Sequence, residues 1–289
     1  MLNYDIVRNW TSGDVRHSYT KRDTMLYALG IGMGQDPMND AELAYVTEPE
    51  LRAVPSMAAV ISTPGFWMRD SQPPTGIDAV RLVHGEQSVV IHHPLPSEAT
   101  VTGCSRVVSV VDKGEGKGAI VYVEKRIVDE HGRLLATCLS TVFCRGDGGF
   151  SGGAGGDAPL EPLPATPERE PDLRIDLETR PETALVYRLS GDYNPLHSDP
   201  RVAKAAGFPK PILHGLGTYG AACRGLLSGC FGNDSTRMRS IRARFSAPVY
   251  PGDKIVLDVW TTGTDIQFRA RVPARDATVL THGHATRSA

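Results

Sequence analysis

Asp192, Asn194 and His197 place a carboxylate, an amide and an imidazole within six residues. Side chains of these types, held close together, suit acid–base chemistry on a small molecule. Further on, His214 and Gly215 lead into a Gly- and Ala-rich apolar stretch reaching Leu227, which reads as a buried helix. Gly215 then sits at a helix N-terminus, where a free N–H points outward and the helix dipole favours negative charge. The chemistry to expect is a proton-moving pair beside a donor aimed at a developing oxyanion.

The elements around these groups must fix them on a turn. Residues 181–189 read as a short helix that begins at Pro181 and stops at Gly191. Pro195 drives Asn194 out of the helical region, so 192–196 should be extended or turned. Ser198 or Asp199 can cap the next helix, with Pro200 in its first position and Gly207 as its stop. Taken singly, Asp192 and Asn194 are ordinary turn residues and His197 an ordinary structural histidine. Their combination, followed by His214 and Gly215, is what marks a site.

At these residues the chain resembles the MaoC-like hydratases, specifically the hydratase 2 (enoyl-CoA hydratase 2) group. The pattern of that group is an aromatic, a small residue, Gly-Asp-x-Asn-Pro-aliphatic-His, and a small residue six positions later. Tyr187, Ser190, Gly191, Asp192, Asn194, Pro195, Leu196, His197 and Ala203 match it without departure. The segments 25–32, 82–88 and 93–96 look like the first half of the two-repeat members, such as the hydratase part of peroxisomal multifunctional enzyme type 2. The resemblance implies an α+β double hot-dog fold, two antiparallel sheets each wrapping a central helix. It also implies the (3R) product and coenzyme A as acyl carrier. Coenzyme A would be part of the substrate, and no separate cofactor or metal is expected.

The duplication is visible in the chain itself. Tyr27–Gly32 aligns with Tyr187–Asp192 at an offset of 160 residues, which puts Gly32 opposite Asp192. No Asn-Pro-x-His follows Gly32, so the first copy keeps the scaffold without the acid–base pair. The glycines at 30, 32 and 34 follow a helix pattern (about 21–29, with Thr20 as its cap), whereas a dinucleotide loop needs them after a strand. Residues 56–62 read as the counterpart of the helix that begins at Gly215. Strands are expected at 79–93, 100–111, 119–128 and 134–145, and again at 238–247, 253–262, 266–272 and 278–286. Loops at 112–118 and 129–133 are of hairpin type. His92 and His93 are neighbours on a strand and face opposite ways, so they assemble no metal-ligand set.

Composition changes sharply at 146–172, from Gly-rich to a run with prolines at 159, 162, 164, 167 and 171. This reads as a linker, flexible first and stiffer later, between a degenerate repeat (1–145, accommodating the acyl tail) and a catalytic repeat (173–289). In the second repeat Arg237, Arg239, Arg242 and Arg244 alternate along a strand and could reach coenzyme A phosphates. Substrate contacts are assigned to Tyr193, His214, Arg242 and Arg244.

The formal net charge of −2 gives no electrostatic case for nucleic acid or an anionic membrane. Five cysteines without C-x-x-C spacing read as reduced thiols. The start lacks a signal pattern and Arg-Ser-Ala at the end is not a peroxisomal address, so the bacterial cytoplasm is the expected location. A homodimer is what the family would suggest.

The expected reaction is reversible hydration of a trans-2-enoyl thioester. Asp192 and His197 would hold the water, Asn194 would orient it or His197, and Gly215 N–H would meet the enolate-like oxygen. Which of the pair is the base stays open, because coupled groups titrate together. A thioesterase of the same architecture and a non-catalytic acyl-thioester binding module are the alternatives.

Overall fold

Ten strands hydrogen-bond side by side, every neighbouring pair antiparallel, in the order β1-β3-β4-β5-β2-β7-β10-β9-β8-β6. The computed structural model describes residues 2–288. The first repeat supplies β1 (Thr11–Tyr19), β2 (Leu82–Ile91), β3 (Ala99–Asp112), β4 (Ala119–Asp129) and β5 (Leu134–Cys144). The second supplies β6 (Leu173–Glu178), β7 (Met238–Phe245), β8 (Lys254–Thr262), β9 (Asp265–Val272) and β10 (Ala277–Arg287). The eight expected strands are all present. The two that the patterning missed, β1 and β6, are the outermost of the sheet. β1 is polar and exposed, as edges usually are, while β6 does alternate (Leu173, Ile175, Leu177) but is only six residues long and follows the Pro-rich run.

The two expected sheets are joined into one, because β2 pairs with β7 across the seam between the repeats. Alternation sets the faces: Gln87, Val89, Ile91, Ile241 and Ala243 are buried on the inner side. Against that side lies the Gly215–Cys230 helix, held by Tyr219 Oη donating to the Ile241 carbonyl at 2.7 Å. Its glycines permit close approach. A Cβ on Gly220 would lie 2.4 Å from Ile31 Cγ2, and one on Gly225 would lie 2.7 Å from Leu257 Cδ1. One apolar core runs through both repeats, with Tyr27, Met57, Val89, Tyr187, Leu226 and Phe268 among its members.

The first repeat departs from the expected plan. The segment read as the counterpart of the central helix forms only a 3-10 turn, Pro55–Ala59. Its C-terminal end is closed by a buried lysine: Lys125 Nζ donates to the carbonyls of Ala59 (3.1 Å) and Ile61 (2.6 Å). Ser62, with φ of 54°, then turns the chain away and its hydroxyl bonds the Val15 carbonyl.

The Gly-rich part of the linker, expected to be flexible, is tied down. Asp112 accepts from the backbone N–H of Gly114, Gly149 and Ser151 and from the Ser151 hydroxyl. Gly156 bridges to Val111. Asp157 accepts from Tyr4 Oη and Val110 N–H and pairs with Arg8. The Pro-rich part crosses the sheet, accepting from Ser109 at Ala158, from Gln267 at Ala165 and from Trp260 at Arg169.

Candidate active site

The site forms where the turn at 191–197 meets the N-terminus of the central helix. Thr183–Tyr187 is helical, 188–190 tighten to a 3-10 turn, and Gly191 with φ of 111° reverses the chain. Asp192 Oδ1 then accepts from Asn194 N–H, and Asn194 Oδ1 accepts from Leu196 N–H, each at 3.1 Å. Both are the local turn bonds expected of these residues taken singly. They also fix the direction of the carboxylate and the amide. Asp199 caps the next helix, Pro200–Ala205, and Gly207 with φ of 86° ends it, as the sequence suggested.

His197 and His214 stack, with ring centroids 3.8 Å apart. Each imidazole has its tautomer set by a carbonyl, which can only accept. His197 Nδ1–H donates to Ile212 O at 2.8 Å, which leaves Nε2 with its lone pair. His214 Nε2–H donates to the backbone carbonyl of Asp192 at 3.1 Å, which ties the helix N-terminus to the turn. Burial lowers the pKa of His197 below the usual histidine value, although the Ile212 carbonyl and the Asp192 carboxylate oppose the shift. Burial, with the repulsion a protonated His197 would add, pushes His214 down to about 4. Both rings are therefore neutral at pH 7, and His197 is ready to take a proton.

Asp192, His197 and His214 each offer an atom within 4.8 Å of the others, a grouping that invites a metal reading. The rings argue against it. A ligating lone pair lies in the plane of its imidazole, and these two planes are only 29° apart while stacked face to face. They cannot both aim at one ion as they stand.

The aromatic column continues from His214 to Tyr187 (4.9 Å) and on to Tyr27 of the first repeat (6.0 Å). Gly215 begins the helix at its first position, so its N–H has no intrahelical partner. A Cβ on Gly215 would lie 3.4 Å from Phe245. Phe245 in turn packs on His84 of the first repeat, with ring centroids 4.8 Å apart. Phe245 and His84 line the site, and the sequence reading singled out neither. The strand pattern at 82–88 held the signal, but contact across the seam is not visible locally.

Not every assigned residue converges here. Tyr193 is exposed, under the Arg188 guanidinium at 4.8 Å. Arg242 and Arg244 lie on the outer face of β7, opposite the buried Ile241 and Ala243. Arg244 is paired with Glu86 at 2.7 Å. Arg239 is turned to the Ile91 carbonyl and His92, and Arg237 to the Phe231 carbonyl. The expected basic strip is thus divided among separate partners, and the strand face carrying Arg242 and Arg244 is not the one that meets the helix.

In the first repeat the position matching Asp192 is occupied differently. A Cβ on Gly32 would lie 2.9 Å from Arg224 Nη1, and Arg224 forms a buried ion pair with Glu42 at 2.9 Å. A cleft of about 490 Å³ lined by Leu51, Arg52, Pro94, Leu95 and Asp234 lies on this side of the molecule, away from the histidine pair.

Comparison with known proteins identifies the family of the chain. Residues 17–146 match the MFE-2 hydratase 2 N-terminal domain, and residues 162–282 match the MaoC like domain. The chain is 45% identical to 3-hydroxyacyl-thioester dehydratase Y of Mycobacterium tuberculosis, over 89% of this chain and 88% of that protein. It is 36% identical to the peroxisomal enoyl-CoA hydratase 2 of Arabidopsis thaliana, over 96% and 94% of the two chains. The crystal structure of a MaoC-like dehydratase from Phytophthora capsici superposes with a TM-score of 0.86 at 34% identity, covering 99% of each chain. A double hot-dog structure from Mycobacterium tuberculosis shares the fold at 13% identity, with a TM-score of 0.57 over 98% of this chain and 96% of that one. The chain belongs to the MaoC-like hydratase 2 family and has its double hot-dog fold.

Proposed function

We propose that the protein is a hydro-lyase that interconverts trans-2-enoyl-CoA and (3R)-3-hydroxyacyl-CoA. The observation that carries this reading is the placement of Asp192 and the unprotonated Nε2-bearing His197 beside the free N–H of Gly215. The names of the relatives, enoyl-CoA hydratase 2 and 3-hydroxyacyl-thioester dehydratase, point to the same reaction class.

In the hydration direction, water sits between Asp192 and His197 and adds to C3 while the pair delivers a proton to C2. Positioned acid–base catalysis of this kind is worth ~10²–10⁴ in rate. Negative charge that builds on the thioester oxygen meets Gly215 N–H at the helix N-terminus. Asn194 holds the turn through Oδ1 and keeps its amide NH₂ for the water or for His197. His214 positions the pair from behind, through its stacking and its bond to the Asp192 carbonyl. Coenzyme A enters as part of the substrate, with Tyr193 at the rim, and the acyl tail runs toward the first repeat. Reduced thiols fit an intracellular setting such as the cytoplasm, and among the described residues no helix is long and apolar enough to cross a membrane.

Crotonyl-CoA tests the reading directly. Loss of enoyl absorbance without release of free thiol is the expected result. Thiol release at the same rate would make the protein a thioesterase and contradict it. A rate profile over enoyl-CoA chain lengths then fixes the acyl group.

A further inference from the structure

His84 belongs to the repeat without an acid–base pair, yet its ring lies in the working site. Strand alternation alone would send it the other way. Along β2, Glu86 faces outward with its partner Arg244, while Gln87, Val89 and Ile91 are buried on the inner side. The register with β5 slips between His84, opposite Val142, and Glu86, opposite Thr141. Gly85 is the extra residue, and a Cβ there would lie 2.7 Å from Thr141 Oγ1. Bulges of this kind re-aim a side chain, and here His84 is turned to the inner face. Its ring packs on Phe245 at 4.8 Å, and Phe245 borders Gly215 at the helix N-terminus.

The hydrogen bonds of the ring define what it can do. His84 Nε2 is 3.1 Å from the Glu86 carbonyl, which can only accept, so Nε2 carries the hydrogen and Nδ1 keeps a lone pair. Burial pushes the pKa of the ring down to about 4, opposed by its hydrogen bonds to the Glu86 carbonyl and the Gln87 side chain and by the Asp192 carboxylate, so the ring is neutral at pH 7. A neutral ring whose one hydrogen is spent on the Glu86 carbonyl cannot donate a further proton, but its Nδ1 lone pair can accept a hydrogen bond. An acyl thioester on a pantetheine arm offers one donor close to the reacting carbonyl, the amide N–H nearest the sulfur.

We propose that His84 is a positioning residue, supplied by the first repeat, that accepts a hydrogen bond from this amide N–H and holds the thioester against Phe245 with its carbonyl oxygen on Gly215 N–H. The assignment rests on the enoyl-thioester reading above. It gives the two repeats separate tasks: one moves protons, and the other grips the carrier arm.

The test compares two crotonyl thioesters, one of N-acetylcysteamine, which has the amide, and one of butanethiol, which lacks it. Wild-type protein should hydrate the N-acetylcysteamine ester with the higher kcat/KM. His84→Phe keeps the ring packing but loses the acceptor. It should cost about tenfold in kcat/KM on the amide ester, mostly through KM, and less than about twofold on the butyl ester, the scale of one hydrogen bond. His84→Asn, which offers a side-chain oxygen, should recover most of the loss. Equal losses on both esters in His84→Phe, or no loss on either, would overturn the assignment. So would an Asn variant no better than Phe with both variants melting lower, because His84 would then serve packing alone. Wild-type protein that hydrates neither ester overturns the enoyl-thioester reading and the assignment with it. Failure of the variant pattern in an active wild type overturns the assignment alone.

Discussion

The two repeats can be compared position by position, and the second carries the proposed acid–base groups where the first does not. Tyr27 and Tyr187 are equivalent, and both rings are fully buried. Gly32 stands where Asp192 should be, and Pro37 where His197 should be. At the same offset Pro55 matches Gly215, so the first copy begins its turn with a residue that has no N–H to donate. Backbone shape is nonetheless retained: Val54 and His214, the residues before them, have ψ of 132° and 138°. The space that a side chain would take at Gly32 is held by Gln35 Nε2 and by Arg224, which is paired with Glu42. A shared scaffold thus carries the proposed acid–base pair in the second copy only, while the first copy fills the matching position with Arg224 and Gln35.

Transplanting residues between the copies sharpens this contrast. The largest effect should come from His197→Gln, which removes the proton-accepting Nε2. Hydration of crotonyl-CoA should fall by ~10²–10⁴ with thermal unfolding little changed. Gly215→Pro copies the first repeat into the second. Proline suits the first helical position and the extended His214 before it, so the fold should hold, while loss of the N–H donor costs on the order of 10²–10³ in kcat. Retained turnover in that variant would remove Gly215 from the mechanism.

The silent copy should respond in stability. Glu42→Ala strands the buried Arg224 guanidinium and leaves Gly34 N–H without its acceptor. Breaking a buried pair from one side costs about 3–5 kcal/mol, readable by urea unfolding. A value below about 1 kcal/mol would mean that the pair is not what replaces the carboxylate.

The smallest effect is on pH dependence. His84, His197 and His214 all have folded pKa values below the unfolded value near 6.5. Their contribution is therefore complete above about pH 6.5 and is lost as pH falls toward about 4, because unfolding then takes up protons. His214→Gln should flatten that slope in a melting-temperature series. An unchanged slope would mean that His214 is not held neutral by its surroundings.

Much of this was legible in the chain. Asp192, Asn194 and His197 stood out as a combination punctuated by Gly191 and Pro195, although each alone is an ordinary turn or structural residue. The apolar run from Gly215 told of a buried helix, and β-branched alternation marked the central strands. What the sequence hid was non-local. β1 is polar because it is an edge, and β6 is a short edge strand directly after the Pro-rich run. Residues 56–62 have helix-like composition, but the buried Lys125 takes the Ala59 and Ile61 carbonyls and Ser62 turns left-handed, which ends the segment after one turn. The Gly-rich linker looked flexible because its anchor, Asp112, lies on a distant hairpin. Arg242 and Arg244 alternate as substrate ligands would, yet only the sheet shows which face they occupy. His84 needed both a bulge and a partner strand from the other repeat to become visible.

The account is tested most directly by hydration of crotonyl-CoA by Asp192→Asn, which keeps the size and turn bonds of the side chain while removing its charge. A fall of ~10²–10⁴ in kcat, with circular dichroism and melting temperature as in the wild type, is the predicted result. Turnover within about tenfold of wild type would mean that the carboxylate opposite Gly32 is not what sets the working repeat apart.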